Sequence, residues 1–360
     1  MNAGIALSIL LAGAASADTL PSLPDTAFHR YSFVPVVASA TETGVQFGAL
    51  GILYFRPHGP EDPGSELDVA AMGTSRGQKC LLASPTLTSS DGSWKFLSTW
   101  KLLDWPGKYW SGGNHPETKA SSYGMKTLKG FGELSSTLAK FPAQQGTAPH
   151  LQAILLYDLE ANRTHIDSTV ASVPAHTGGD RTGLGAGVAW DSRDQENWPH
   201  RGSFARLDHS QFRTALGGDW NFSDTRLDLR TFLPAPAGGT WALASFWEGV
   251  TGTVPFDRLP APDGTNRMRG LERGRLCGRQ EWVLQSEGRF PVARRFAVVG
   301  FLEAAKVGDE PSFLWREDFH WGTGLGGRFA LNPERGVNLR LDLSWVDDHP
   351  GVTLSFKEAL

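Results

Sequence analysis

The sequence predicts an all-β fold, a transmembrane antiparallel β-barrel of about 16 strands. The clearest observation is residues 337–345, in which every odd position is apolar and every even position is polar or charged. A period of two is typical of a strand with one apolar and one polar face. In addition, no apolar run after residue 17 approaches the roughly 20 residues that a membrane-spanning helix requires.

The same alternation recurs along most of the chain and defines the individual strands. Arg226 and Asp228 share one strand face, as do Glu287 and Arg289. Opposite charges that repeatedly share a face suit the wet, mixed-charge interior of a barrel. The predicted strands occupy residues 31–39, 44–55, 64–73, 77–87, 92–103, 122–140, 149–158, 182–191, 203–214, 222–233, 241–252, 276–289, 296–306, 319–330, 336–346 and 351–357.

The connections between these strands alternate between short and long. An even number of strands places both chain termini on the periplasmic side. The longer segments 253–275 and 307–318 then lie outside the cell, which is the asymmetry expected of bacterial barrels. The short turns fall on the periplasmic side, at residues 195–199, 234–239, 291–294 and 332–336.

The N-terminal segment has the features of a secretory signal peptide. Residues 5–14 are apolar, and Ala15-Ser16-Ala17 fits a small-x-small cleavage site. No Lys or Arg precedes the apolar run, and the alternative interpretation is a buried helix of a soluble domain. We expect a signal peptide over 1–17, a short periplasmic segment over 18–30 and the barrel over 31–360, located in a Gram-negative outer membrane after cleavage.

Composition excludes several classes of function. The formal net charge is −4, whereas a nucleic-acid-binding domain is expected to be strongly basic. The two cysteines, Cys80 and Cys277, cannot build a cysteine-based zinc site or a disulfide framework, and they lie on strands far apart in order. We therefore expect no nucleic-acid partner, no cofactor and no metal.

Three motifs that could carry chemistry have a simpler structural interpretation. The glycines from Gly322 to Gly327 resemble a dinucleotide-binding loop, but a strand pattern follows them where that motif needs a helix. His209 and Ser210 are adjacent, so on a strand they point to opposite faces. Asp191 and Asp194 flank an arginine in a tight turn, which favours a turn network over an acid–base pair. A hydrolase is therefore the least favoured function.

Residues 267–271, Arg-Met-Arg-Gly-Leu, resemble the VRGF/Y-type motif of the BamA/TamA outer-membrane barrels, the bacterial surface antigen family. Further segments resemble family landmarks in the family's order, from about residue 31 to the end of the chain. These segments are 109–114, 183–187, 190–194, 199–202, 287–291, 301–305, 322–326 and 339–342. The landmark residues of the turns and late strands are Asp191, Arg193, Asp194, Gly202, Gly322, Gly324, Gly326 and Asp342.

The resemblance implies that the 253–275 segment folds into the barrel and is locked there. Arg269 is expected to pair with Glu303, where the family usually has an aspartate, and Gly270 is expected to let the loop backbone approach the wall. Only about a dozen residues separate residue 18 from the first strand, so we expect a short member of the family without POTRA domains; Leu360 stands where the family prefers an aromatic residue.

The implied function is to assist the insertion or translocation of proteins, or of lipids, at the outer membrane. The expected partners are outer-membrane lipid and client outer-membrane or secreted proteins. The alternative is a passive or plugged pore with no assembly role. These two functions differ in whether the first and last strands part easily.

Overall fold

A computed structural model describes residues 29–56, 64–110, 112–115, 120–143, 147–166, 178–333, 336–347, 349–356 and 358–360. Sixteen β-strands make up about two thirds of this part of the chain. Their bounds are β1 His29–Ala40, β2 Gly44–Phe55, β3 Ser65–Thr74, β4 Lys79–Thr88, β5 Trp94–Tyr109, β6 Ser121–Lys140, β7 His150–Ile166, β8 Gly179–Asp191, β9 Gly202–Phe212, β10 Phe222–Ala235, β11 Gly239–Gly252, β12 Gln280–Ala293, β13 Phe296–Gly308, β14 His320–Asn332, β15 Val337–Val346 and β16 His349–Phe356.

The strands close into one barrel in which every strand pairs antiparallel with its neighbours in sequence, and β1 meets β16. The predicted barrel of about 16 strands is therefore confirmed. The prediction was wrong in placing the start of the twelfth strand at residue 276, because β12 begins at Gln280. Residues 276–278 pair with other loop segments instead, since Gly278 N donates to Pro260 O at 3.1 Å.

Strand β15 shows how alternation orients the side chains. Leu341 and Leu343 are each 45% exposed and point away from the barrel axis, whereas Arg340 and Asp342 are completely buried and point inward. Leu339, which the sequence also predicted to face outward, is half-buried. The pattern agrees with an apolar outer surface around a polar interior.

Aromatic side chains form two belts on the outer surface of the barrel. The upper belt lies toward the long loops and comprises Trp247, Trp282, Trp321 and Trp345. The lower belt lies toward the short turns and comprises Trp241, Phe290, Phe296 and Phe329. Rings contact within the lower belt, with centroids 5.9 Å apart for Trp241 and Phe290. Two girdles that flank an apolar band are typical of an outer-membrane barrel.

The inner surface is divided into an apolar and a charged half. On β1–β5 most buried inward side chains form one hydrophobic cluster, Val36, Leu50, Ile52, Ala70, Met72, Cys80, Leu82, Leu103 and Trp105, with Lys101 as a buried ion at its edge on β5. From β6 onward the inward side chains include many buried ions, such as Lys129, Arg181, Glu287, Arg289 and Arg340. Burying charge is costly unless it is paired. The loops that enter the charged half therefore matter for its stability.

The described part of the chain contains a single α-helix, α1, which is only four residues long (Phe313–Arg316). None of its helices is long and apolar enough to cross a membrane. The predicted signal peptide and all but the last two residues of the predicted 18–30 segment lie outside the described residues.

Candidate functional site

The lumen loop, residues 253–279 between β11 and β12, enters the barrel and is held at the wall by Arg269. The Arg269 side chain is completely buried. Its Nε donates to Glu303 Oε1 at 2.8 Å, and its Nη1 donates to Glu287 Oε2 at 2.7 Å. The Arg269 backbone N–H donates to Glu303 Oε2 at 2.6 Å. The loop is thus bound to inward carboxylates of β12 and β13 by charge-assisted hydrogen bonds.

Two further groups complete the surroundings of Arg269. Asp342 Oδ2 on β15 lies 3.4 Å from Arg269 Nη1. The guanidinium carbon lies 3.4 Å from the centre of the Phe301 ring, a cation–π contact. Burial alone disfavours the charged guanidinium, but the carboxylates of Glu303, Glu287 and Asp342 outweigh burial and raise the pKa of Arg269.

Arg269 belongs to a larger buried ion-pair network that joins β12, β14 and β15. Glu287 Oε1 accepts a hydrogen bond from Arg289 Nε at 2.8 Å. Asp342 Oδ1 accepts one from Arg328 Nη1 at 2.7 Å. Glu287 Oε2 also lies 3.8 Å from Arg328 Nη2. Asp342 Oδ2 also lies 3.3 Å from Arg340 Nε. Each of these carboxylates therefore serves two arginines of the wall as well as Arg269. Removing the loop would leave part of the network without its counter-charge.

Gly270 follows Arg269 at the point where the loop backbone touches the wall. Its φ is +91°, a region that favours glycine. Its N–H donates to Gly264 O at 2.9 Å, which closes a tight turn in the loop. A Cβ at this position would overlap Ser344 Oγ on β15. The site thus requires glycine for both conformation and space.

The glycine landmarks Gly322, Gly324 and Gly326 lie on the inward face of β14. A Cβ at Gly324 would overlap the Phe301 ring, and one at Gly326 would overlap the Asp342 carboxylate. These glycines therefore leave room for two of the groups that surround the loop arginine. Their role here is steric, and the chain after them continues as a strand.

A second anchor, which the sequence analysis missed, holds the lumen loop to β7 and β8. Arg258 Nη1 donates to Asp158 Oδ2 at 2.9 Å, and Arg258 Nη2 also bonds to Glu160. Asp257 accepts two hydrogen bonds from Arg181, at 2.7 and 2.8 Å. The second anchor lies on β7 and β8, whereas the carboxylates closest to Arg269 lie on β12 and β13, about five strands further round the ring of sixteen, so the two anchors hold the loop at well-separated parts of the wall. The loop therefore crosses the lumen.

The sequence carried only a weak signal for this second anchor. Asp158 and Glu160 are two residues apart, so both carboxylates face the same side of a strand. The predicted strand ended at residue 158, but β7 continues to Ile166. The partner Arg258 lies 98 residues beyond Glu160, and nothing in the sequence pairs them.

A cavity of about 280 Å³ remains between the lumen loop and the wall of β5 and β6. Aromatic side chains of both elements line it, including Trp105, Tyr109, Tyr123 and Phe256. Phe256 of the loop packs edge-on against both tyrosine rings, with centroid distances of 5.5 and 5.2 Å. The loop thus packs by apolar contacts as well as by ion pairs.

The turn landmarks between β8 and β9 form a local hydrogen-bond network. Arg193 Nη2 donates to Asp191 Oδ2 at 2.6 Å, and the Arg193 backbone N–H donates to Asp191 Oδ1 at 2.9 Å. Asp194 Oδ1 accepts from the His200 backbone N–H at 2.9 Å. Gly202 closes the turn with φ of +99°. The two aspartates are thus engaged by the turn itself.

The other candidate chemical groups are dispersed. His209 is exposed and lies 2.9 Å from Thr225 Oγ1, whereas Ser210 is buried on the opposite strand face. Cys80 and Cys277 are both buried free thiols. Burial raises the pKa of the Cys277 thiol to about 12, so it stays protonated. The residues that the structure describes include no group of three or more His, Cys, Asp or Glu side chains able to hold a metal ion.

Substituting alanine for Gly270 tests the close approach of the loop to the wall. We expect Gly270→Ala to destabilise the docked loop by about 2–3 kcal/mol, since it combines left-handed strain with overpacking. Gly274→Ala is the matched control: φ is +76°, but its Cβ would lie 3.6 Å from its nearest neighbour, Lys108 O. We expect that control to cost only about 1 kcal/mol. The rate of proteolysis of the loop in the folded barrel measures the effect of each variant. Equal effects would contradict a tight contact at Gly270.

A closed barrel with an apolar outer surface between two aromatic belts defines this chain as an outer-membrane β-barrel protein. A family model described as the Omp85 superfamily domain matches residues 115–353. The chain therefore belongs to the Omp85 superfamily, which confirms at the superfamily level the resemblance seen in the sequence.

Solved structures with the same fold include BamA and CdiB barrels. The crystal structure of BamA from Haemophilus ducreyi lacking POTRA domains 1–3 is 14% identical, with a TM-score of 0.57, and the match covers 92% of this chain and 69% of that one. CdiB from Escherichia coli is 13% identical, with a TM-score of 0.64 and coverages of 94% and 63%. CdiB from Acinetobacter baumannii is 13% identical, with a TM-score of 0.58 and coverages of 92% and 59%. The chain thus spans roughly two thirds of the length of these proteins. No curated protein sequence matches it.

Proposed function

We propose that this barrel assists the insertion or translocation of proteins at the outer membrane by parting the junction between its first and last strands. The proposal rests chiefly on that junction. Among the described residues, β1 and β16 share the single register pair Ser39–Leu354. On its other side β16 pairs with β15 from Leu339–Phe356 to Val346–His349.

The junction is weak because, in the part of the chain that the structure describes, few backbone N–H and C=O groups of β1 and β16 pair with each other. Hydrogen bonds hold neighbouring strands together, and a strand with few of them presents free edge groups to another chain. Both junction strands also contain a proline, Pro35 in β1 and Pro350 in β16, and proline supplies no N–H to a ladder. An unpaired strand of a client protein is a suitable partner for such an edge, because it supplies the missing backbone hydrogen bonds.

In this proposal the lumen loop acts as a lock and not as a catalytic element. Ion pairs to β7–β8 and to β12–β15 keep the loop across the lumen while the β1–β16 junction opens. The expected contacts are outer-membrane lipid on the outer face and client outer-membrane or secreted proteins at the junction. The proposal requires no catalytic chemistry, and the barrel hydrolase remains the least favoured function.

The loop also supports the second candidate, a plugged pore that has the fold but no assembly role. Arg269 and Arg258 bind well-separated parts of the wall, so the loop obstructs the lumen whether or not the junction opens. The two functions differ in one respect that can be measured. Only the assembly function requires β1 and β16 to separate.

A disulfide across the junction tests this requirement. Ser39→Cys and Leu354→Cys would be combined in a variant that lacks Cys80 and Cys277. The matched control is Leu341→Cys with Leu354→Cys, because Leu341 is the β15 partner of the same residue. Facing residues in an antiparallel pair lie within the Cα distance that a disulfide spans. A small outer-membrane barrel, unfolded in urea, serves as client, and its folding into phospholipid vesicles is followed by heat-modifiable gel mobility.

We expect the cysteine-free parent to accelerate client folding. The oxidised junction variant should lose this acceleration and regain it on reduction, while the oxidised control retains it. Acceleration that survives an oxidised junction disulfide would overturn junction opening. A parent that never accelerates client folding would favour the plugged pore.

A further inference from the structure

The β13–β14 loop, residues 309–319, folds over the outer surface of the barrel. Gly308, at the end of β13, faces outward, and a Cβ there would overlap Phe313, the first residue of α1. Phe313 is 2% exposed. Its ring therefore packs on the barrel wall and holds α1 against the outward face of β13.

Lys306 of β13 binds this loop through a hydrogen bond to α1. Glu303 and Ala305 point into the lumen, so strand alternation turns Lys306 outward. Lys306 is nevertheless only 3% exposed. Its Nζ donates a hydrogen bond to the carbonyl oxygen of Leu314 in α1.

Aromatic rings enclose the same ammonium. Lys306 Nζ lies 4.3 Å from the centre of the Phe319 ring, 5.5 Å from that of Trp282 and 6.0 Å from that of Phe313. Cation–π contacts and the carbonyl of α1 thus stabilise a charge at the edge of the apolar band. The cage couples the position of α1 to β12 and β13 of the wall.

The opposite side of α1 presents large apolar side chains to the surroundings. Trp315 is 75% exposed and Leu314 is 40% exposed. The patch continues into the upper belt, because Phe319 contacts Trp321, whose own exposure is 56%. Arg316, also exposed, follows Trp315 directly.

We propose that residues 309–319 form a membrane-interface anchor that places Leu314 and Trp315 among the headgroups and upper acyl chains of the outer leaflet. Tryptophan is enriched at this depth because it joins an apolar body to a polar N–H. Continuity with the upper belt identifies lipid as the occupant, since that belt marks the membrane boundary. The exposed Arg316 guanidinium is placed to meet lipid phosphates. This inference is independent of any action on client proteins.

Site-directed labelling tests the anchor in the folded full-length chain without Cys80 and Cys277. A polarity-sensitive fluorophore would be attached to Trp315→Cys in phosphatidylcholine vesicles that contain nitroxide-labelled lipid. Leu302→Cys, an outward position 48% exposed, is the lipid-facing reference. Arg163→Cys is the water-facing reference, because the Arg163 side chain is 70% exposed near the loop end of β7.

We expect the label at 315 to lose emission to nitroxide lipid as the label at 302 does, and to resist an aqueous quencher. A label at 315 that behaves like the one at 163 would overturn the proposal, and capture of another protein would then be the better explanation of the exposed patch. Lys306→Met tests in the same assay whether Lys306 holds α1 in place, because methionine retains the apolar contact and lacks the hydrogen bond to Leu314. Quenching at 315 should then shift toward the aqueous quencher. Unchanged quenching would show that Lys306 does not position the anchor.

Discussion

Arg269→Ala is expected to release the lumen loop from the β12–β15 wall. The change removes the cation that Glu303, Glu287 and Asp342 share, and leaves these carboxylates buried without one of their partners. Breaking a buried pair by removing one member costs about 3–5 kcal/mol, more than the intact pair contributes net. Limited proteolysis of the intact barrel measures the effect as faster cleavage near residues 267–275.

The same loop supplies a matched control. Arg275 lies over the Trp110 ring at 5.5 Å and has no carboxylate contact among the residues that the structure describes. We expect Arg275→Ala to change proteolysis little. If both variants are cleaved at the same rate, charge pairing at Arg269 does not hold the loop.

A double-mutant cycle separates pairing from simple loss of side chains. We expect Glu303→Ala to release the loop as Arg269→Ala does, and the combined variant to be little worse than either one. A coupling of about 1–2 kcal/mol would support the lock, because neighbouring carboxylates such as Glu287 retain part of the attraction to Arg269. Strictly additive effects would contradict it.

The second large effect is expected on the outer surface. Leu341 lies on β15 between the two belts and is 45% exposed. Leu341→Arg should destabilise the barrel by about 2–4 kcal/mol, since a guanidinium near the bilayer midplane loses its hydration. Equilibrium unfolding from phospholipid vesicles measures the change.

Thr323→Arg is the control for depth. Thr323 faces outward on β14 opposite Trp345 of the upper belt, where charge can reach the headgroups. Arginine near the interface costs only about 0–1 kcal/mol. Equal destabilisation by the two variants would contradict the membrane placement of this face.

Together the two sets of variants address independent parts of the molecule. The variants at position 269 test a loop contact inside the barrel, and the variant at position 341 tests whether the outer face meets lipid. Neither requires the client-folding activity that we propose. If both outcomes hold, the outer face of β15 lies in the bilayer and ion pairs hold the lumen loop at the wall, whether or not the protein assembles other proteins.

The strands were largely predictable because a period of two is a local property of the sequence. The alternation in β15 indicated which residues point inward, and Arg340 and Asp342 are indeed completely buried. Errors occurred where the period ends before the strand does. β7 extends to Ile166 and β5 to Tyr109, beyond the predicted ends at 158 and 103.

The site was partly predictable because family motifs mark single positions. The resemblance singled out Arg269, Gly270 and Glu303, and the structure brings these three residues to one point of the wall. It gave no indication of Arg258. Pairing across 98 residues depends on which strands the loop reaches, and a local pattern does not contain that information.

The sequence by itself therefore determined the strands, their number and the faces that meet lipid and lumen, because each follows from neighbouring residues. Only the tertiary structure decided three further features. These are the weak β1–β16 junction, the loop that spans the lumen between two ion-pair anchors, and the fold of α1 over Lys306. The junction and the two anchors depend on contacts between residues far apart in sequence, which become neighbours only when the sheet closes. The position of α1 depends on a contact between nearby residues, from Lys306 to Leu314, together with Trp282 of the neighbouring strand.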